Sequence, residues 1–292
     1  MEIKKLKYVI AVLIYGTIGL VLHYVNVPSS IVVMCRAIIG TAFIFFYMLL
    51  TRRKIDTKAI KSNLVWLVIS GVSLGLNWVF LFEAYVHTSV AIASLCNYMA
   101  PIIVLALSPL LFKSRVTLRN ILCVIAAIIG IVLVSGVVTG NPEDVNVQGI
   151  VLGLLSSAGF VMLVICNKKI HDIGSYDKAL IQLLSAACIV TPYAIFSNIG
   201  SFHISVVDLK SILLVIMLGL VHTGIAYILY FDALGSIPVV TVAVLGYLEP
   251  VLSILLSAFV LREACDWYIW VGAILIIGAA VISELRPKKS QA

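Results

Sequence analysis

Residues 246–263 read GYLEPVLSILLSAFVLRE. This stretch decides the fold, because Glu249 and Pro250 stand together inside an apolar run from Ile237 to Leu261. An acid at the centre of a lipid-spanning helix costs roughly 2.5–3.5 kcal/mol on insertion scales. The proline removes a backbone donor and disturbs the turn before it. A chain keeps such a pair where a cavity or a partner helix satisfies it. An echo lies 149 positions earlier, where Asn97-Tyr98-Met99-Ala100-Pro101 aligns with Gly246-Tyr247-Leu248-Glu249-Pro250.

Outward from that stretch, the composition is that of a membrane protein. The chain has 292 residues, 62% hydrophobic and 11% charged, with a mean hydropathy of +1.17. Soluble domains are nearer half apolar and a quarter charged. A span of the ~30 Å hydrocarbon core needs about 20 residues. Ten runs qualify: 6–24, 30–50, 63–85, 89–112, 118–138, 148–168, 177–199, 209–232, 237–261 and 267–285. The first follows Lys4, Lys5 and Lys7, but no small-x-small cleavage site comes after it, so it reads as a span. The net charge of +7 sits mostly in short loops, so it reads as a topology signal and not as a nucleic-acid surface. With the N-terminus inside, the inner segments hold Lys4, Lys5, Lys7, Arg52, Arg53, Lys54, Lys58, Lys61, Lys113, Arg115, Arg119, Lys168, Lys169, Lys178, Arg286, Lys288 and Lys289. The outer loops hold only Lys210 and Arg262, which places both termini in the cytoplasm.

The offset of 149 holds without a gap from Leu64/Leu213 to Pro101/Pro250, pairing Gly75 with Gly224, Glu83 with Asp232 and Tyr98 with Tyr247. Five spans is an odd number, so the second unit enters the membrane from the opposite side. The expected fold is an all-α membrane protein of ten transmembrane helices in two inverted five-helix repeats, with substrate held near the midplane between them. The boundaries expected are 1–138 for the first repeat, 139–147 for a linker, 148–286 for the second repeat and 287–292 for a cytoplasmic tail.

The run LEPVLSILLSAFVLRE, followed by Gly272 and Gly278, resembles the EamA signature of the drug/metabolite transporter superfamily. That signature has Glu-Pro in mid-span, Leu-x-Glu at the span's end and a glycine-punctuated last helix. Arg36 is similar to an arginine common in the first EamA repeat. The first half departs from the pattern, with Ala100 in place of the acid and Lys113-Ser114 in place of Leu-x-Glu. The resemblance implies a carrier of small metabolites, often amino acids or relatives, usually exported across the inner membrane.

The residues themselves supply the candidate site. Glu249 lies about 18 Å into its span at 1.5 Å per residue, near the midplane. It reads as a ligand for a cationic group, a proton-coupling site, or a structural acid paired to Arg36. Arg36 either snorkels outward or turns inward to take a carboxylate bidentately. Asn77 and Trp78, Tyr98, His222 and Tyr227, and Tyr247 share that depth, although Tyr and Trp normally gather at the membrane interfaces. For the aromatics, plain packing and cavity lining are equally open, and helix–helix hydrogen bonding is the commoner role of a lone His222. Pro101 and Pro250 read as hinges. Glu83 and Asp232, at opposite membrane faces, read as caps or gate contacts.

No phosphate loop, H-E-x-x-H or G-x-S-x-G appears, and the six cysteines are scattered. Neither an ATPase nor an intramembrane enzyme is indicated, and no cofactor or metal site is expected. The expected function is secondary transport of a small metabolite, an amino acid or relative, by alternating access. A multidrug exporter of lipophilic cations or a sugar or nucleotide carrier is the alternative. The partners expected are the substrate and the lipid bilayer, with the protein a monomer or homodimer.

Overall fold

The computed structural model describes residues 2–112, 117–137, 146–199, 207–234, 237 and 239–284. The expected tail over 287–292, most of the expected linker over 139–147, and Lys113, Ser114, Arg115, Arg286, Lys288 and Lys289 lie outside the described residues. The described residues are helical and include no strand. In order come α1 (Glu2–Gly16), α2 (Ile18–His23), α3 (Ser29–Leu50), α4 (Thr57–His87), α5 (Val90–Asn97), α6 (Ala100–Phe112) and α7 (Leu118–Val134). Then follow α8 (Val147–Asn167), α9 (Ser175–Ser197), α10 (Leu209–Gly219), a π turn (Leu220–Ile225), α11 (Ala226–Leu234), α12 (Val239–Gly246), α13 (Leu248–Phe259) and α14 (Trp267–Glu284).

The starts of these helices are chemically marked. The side chains of Asp56, Ser89, Thr117, Asn146 and Asp208 each accept from a backbone N–H three residues on. At Asp208 the hydroxyl and amide of Ser211 donate to the carboxylate and hold it below the usual range. The breaks are marked as well. Proline forbids the bond to residue i−4 and clashes with that carbonyl. Pro101 thus ends α5 at Asn97, and Pro250 ends α12 at Gly246, each four residues upstream. At the junction of α1 and α2, Thr17 turns its hydroxyl back onto Ile14 O at 2.7 Å.

Among the described residues, seven stretches are long and apolar enough to cross a bilayer: Glu2–His23, Ser29–Leu50, Thr57–His87, Val90–Leu107, Val147–Asn167, Ser175–Ser197 and Leu209–Ala233. Shorter apolar helices cover Leu118–Val134, Leu248–Phe259 and Trp267–Ser283. The protein is a multi-pass helical membrane protein. Lipid tails are as apolar as leucine, so such helices are held together by close packing and interhelical hydrogen bonds.

The packing crosses the midpoint of the chain. One buried cluster joins α2, α3 and α4 to α9 and α10 through residues such as Val33, Ile44, Phe82, Leu183 and Leu218. A second joins α5, α6 and α7 to α13 and α14 through Leu95, Ile102, Ala127, Ile254 and Ile276. Helix α4 rests on α8 and α9, α11 rests on α1, α3 on α9, and α7 on α14. The backbone of α4 comes so close to α9 that a Cβ on Gly71 would lie 2.5 Å from Gln182 O. Amide side chains tie α4 along its length. The Asn63 amide donates to His171 O, Gln182 donates to Ser70 Oγ and Asn167 Oδ1, and Asn77 donates to Asn97 Oδ1 and Ser156 O, all within 2.7–2.9 Å.

Candidate functional site

The break at Pro250 does more than bend a helix. It starts α13 at Leu248 and so places Glu249 in a first turn. Backbone N–H groups there have no intrahelical partner, and the helix dipole favours negative charge. The Tyr98 side chain, beside the matching break between α5 and α6, lines the same cleft as the Glu249 carboxylate and lies within its electrostatic range. The two proline breaks thus meet at one cleft. The ring of Tyr247 packs 6.4 Å from that of Tyr98.

A cleft surrounds the carboxylate. It is lined by Tyr15 and Gly16 of α1, Tyr85 of α4, and Ser94, Tyr98 and Ser253. Its volume is about 10 Å³, measured for the centre of a water-sized sphere, which is room for about one water. Ser94 and Ser253 join hydroxyls across it at 2.8 Å, and Tyr85 reaches Ser94 at 3.3 Å. Helix α1 comes so near that a Cβ on Gly16 would lie 2.9 Å from Glu249 O. The structure is therefore closed around Glu249.

Arg36 turns inward and is 3% exposed, which removes the snorkelling alternative. Its Nε–H donates to Thr223 Oγ1 at 2.7 Å, and its guanidinium lies 4.2 Å from the centroid of Trp78 and 5.4 Å from that of Phe82. Such stacking suits the flat, weakly hydrated guanidinium. Tyr15, Tyr85 and Tyr227 lie within electrostatic range of both Arg36 and Glu249. Tyr227 meets Tyr15 edge-on at 6.1 Å and Phe231 at 5.6 Å. The two charges feel each other, yet no salt bridge joins them; the ion pairs among the described residues are Lys5–Glu2, Lys7–Asp232 and His87–Glu83.

The remaining expected residues fall into different surroundings. Asn77 gives its amide to Asn97 and Ser156, so it locks helices together beside the cleft. His222, in the π turn, bonds Thr17 Oγ1 through Nε2 at 2.9 Å. That hydroxyl also donates to Ile14 O, and the other ring nitrogen, Nδ1, lies 3.5 Å from Met217 O, so the ring is held between the junction of α1 and α2 and its own helix. Glu83 accepts from Ser29 Oγ and pairs with His87 at 3.3 Å near one end of the bundle. Asp232 pairs with Lys7 at 3.0 Å and accepts from Tyr176 at 2.6 Å near the other. Among the described residues, no three His, Cys, Asp or Glu side chains gather where they would hold a metal ion.

Several residues that shape the site are absent from the sequence reading. Tyr15 had the same signal as Tyr98, a tyrosine inside an apolar run away from the interfaces, whereas Tyr85 is the last residue of its expected span and reads as an interfacial tyrosine. Thr223 had none beyond its place next to His222. Glu263, the last residue of the Leu-x-Glu element, accepts from Val90 N at 2.9 Å at the start of α5 and from Ser257 Oγ. It pins the far end of α13 to the first turn of α5.

A multi-pass helical bundle that keeps a carboxylate and a guanidinium in one aromatic interior falls in the class of membrane transport proteins. The profile of the EamA-like transporter family matches residues 6–136 and again 147–284, and the chain belongs to that family. It is 27% identical over 285 residues to the "Uncharacterized transporter YxxF" of Bacillus subtilis (strain 168), covering 96% of this chain and 89% of that one. It is 23% identical over 220 residues to "Protein PecM" of Dickeya dadantii (strain 3937), covering 74% and 72%. It is 28% identical over 200 residues to a "Probable amino-acid metabolite efflux pump" of Salmonella typhimurium, covering 66% of each chain. A crystal structure 20% identical in sequence superposes with a TM-score of 0.64 over 96% of both chains, which shows a shared fold.

Proposed function

We propose that this protein is a secondary transporter of ten spans in two inverted repeats, with both termini cytoplasmic. In this reading it carries an amino acid or close relative outward across the cell membrane by alternating access, as a monomer or homodimer. The observation that carries the reading is the unjoined pair. Glu249 and Arg36 lie in one aromatic interior without pairing, and in this reading an open form of the carrier seats a zwitterion between them. Its ammonium goes to Glu249, its carboxylate to the guanidinium fork of Arg36, and its side chain against Tyr15, Tyr98 and Tyr227. Trp78 holds the guanidinium flat, and Tyr247 backs Tyr98. When no substrate is present, a proton on Glu249 is the alternative cargo.

The packing supports the repeat. Several helix contacts have a counterpart five spans away: α4 with α8 answers to α11 with α1, and α5 with α8 answers to α12 and α13 with α1. Contacts α3 with α9 and α7 with α14 each answer to themselves. The breaks before Pro101 and Pro250 are the hinges. Glu83 and Asp232, related by the repeat, close opposite ends and open in turn.

The test is counterflow in proteoliposomes with a panel of radiolabelled amino acids. Glu249→Gln and Trp78→Ala are expected to lower the rate of any amino acid that the wild type moves by about tenfold or more, the worth of about 1.4 kcal/mol. Wild-type rates in both variants would remove the site. A second reading, export of lipophilic cations, draws on the tyrosines around one carboxylate. It predicts transport of tetraphenylphosphonium, dependence on Glu249 and indifference to Arg36→Gln.

A further inference from the structure

We propose that the groove between α4, α8 and α9 is a binding site for one phospholipid with a primary-amine head group, of the phosphatidylethanolamine type. The groove has a volume of about 300 Å³, at the lower end of the ~300–1,000 Å³ common for ligand sites. It is separate from the cleft at Glu249 and shares no lining residue with it. Its mouth residues Leu76, Ile189 and Tyr193 are about two-fifths exposed, so it faces the bilayer.

The groove is apolar almost throughout, with Glu83 and Tyr193 as its polar lining residues at one end. Glu83 lies one turn from the end of α4, and Tyr193 lies one turn from the end of α9. Gln148 bonds His87, and Asn198 bonds Ser30, so these helix ends share one face of the membrane. From Glu83 to Leu76 is seven residues, or about 10 Å of descent. Along that descent the walls are Val79, Phe80, Leu152 and Val190, all apolar. A carboxylate and a phenol at head-group level above an apolar slot match a phospholipid: amine above, acyl chain below.

The head-group chemistry follows from Glu83. Its two oxygens take Ser29 Oγ and His87 Nε2. A carboxylate offers about four acceptor sites, so capacity remains for an ammonium hydrogen. A primary ammonium has three such hydrogens; a choline head group has none. Amine-headed lipid is therefore preferred over choline-headed lipid of the same chain. The inference needs only the membrane location and the groove, and it stands or falls apart from the transport reading.

The full chain is incubated in mixed vesicles of equal phosphatidylethanolamine and phosphatidylcholine, extracted in mild detergent, and weighed intact by native mass spectrometry. The wild type is expected to retain one phosphatidylethanolamine, about tenfold over phosphatidylcholine. Leu152→Trp, which fills the slot, is expected to remove the retained lipid; Ile189→Trp does the same from the opposite wall if the first variant fails to fold. Glu83→Gln is expected to keep a lipid and lose the preference. Equal retention of the two lipids by the wild type would overturn the proposal. So would an unchanged lipid in a folded slot-filling variant, or an unchanged preference in Glu83→Gln.

Discussion

Asn77 and Tyr98 sit within one turn of the same cleft and do opposite things there. Asn77 spends its amide on Asn97 and on Ser156 O. Intramembrane hydrogen bonds average about 0.6 kcal/mol and reach about 1.7. Asn77→Ala is therefore expected to cost about 1–2 kcal/mol of stability, read as a lower melting temperature in detergent, with transport largely kept. Tyr98 lines the cleft beside the Glu249 carboxylate and, among the described residues, gives its hydroxyl to no other helix. Tyr98→Phe is expected to leave the melting temperature near that of the wild type and to slow counterflow by about tenfold or more. The reverse pattern, a stable Asn77→Ala that does not transport, would place the amide on the substrate instead. Depth along a span, which sequence supplies, does not separate these two residues. The separation depends on which neighbouring helix each side chain meets, and that is a property of the packed bundle.

At the scale of the element, the four-residue rule of proline explains both mid-span breaks. Pro101→Ala and Pro250→Ala each restore a missing backbone bond. They are expected to leave stability unchanged or higher while transport slows, as continuous helices resist bending. A Pro250→Ala variant with wild-type rates would show that the break is architecture and not hinge. Glycines divide on the same physical ground. A side chain at Gly71 would run into the backbone of α9, whereas a Cβ at Gly278 meets nothing within 4 Å. Gly71→Val is expected to cost well over 1–3 kcal/mol, the usual cost of overpacking, and to fail to accumulate. Gly278→Ala is expected to accumulate and transport like the wild type, both read from membrane expression. The spacing Gly71-x-x-x-Gly75 is of the small-residue kind that permits close helix contact. The π turn over Leu220–Ile225 has no such spacing to mark it, because one extra residue in a helical turn leaves the hydropathy of the run unchanged. There Thr223 returns its hydroxyl to Leu218 O at 3.1 Å while taking Arg36, so the irregular turn and the buried arginine are held by one side chain.

At the scale of the molecule, the all-helical membrane class was plain from hydropathy, and the EamA family from the run LEPVLSILLSAFVLRE. Much of the chamber was not. Tyr85, Ser94 and Ser253 come from three different helices, and nothing in any one segment says that their hydroxyls meet. Glu263 is the same kind of case. It reads as the polar end of a span, whereas its carboxylate reaches across the bundle to the first turn of α5.

That reach makes the two ends of the carrier unequal. The repeat offset sets Ser114 against Glu263 and Val239 against Val90, so the acid that fastens one doorway is missing from the sequence of the other. A charge-assisted bond of about 1.5–3 kcal/mol shifts a two-state balance by roughly ten- to a hundredfold. Under the alternating-access proposal, an empty carrier so weighted would rest with its Val90 doorway shut and wait at the opposite face for cargo, and the two repeats would differ in which face they load from. Glu263→Gln is expected to relax that weighting, so that a cysteine introduced at Ser94 reacts several-fold faster with an impermeant maleimide added from the Val90 side. Unchanged labelling would mean that the doorway is held by packing alone, and that the cell's gradients decide which way the carrier runs.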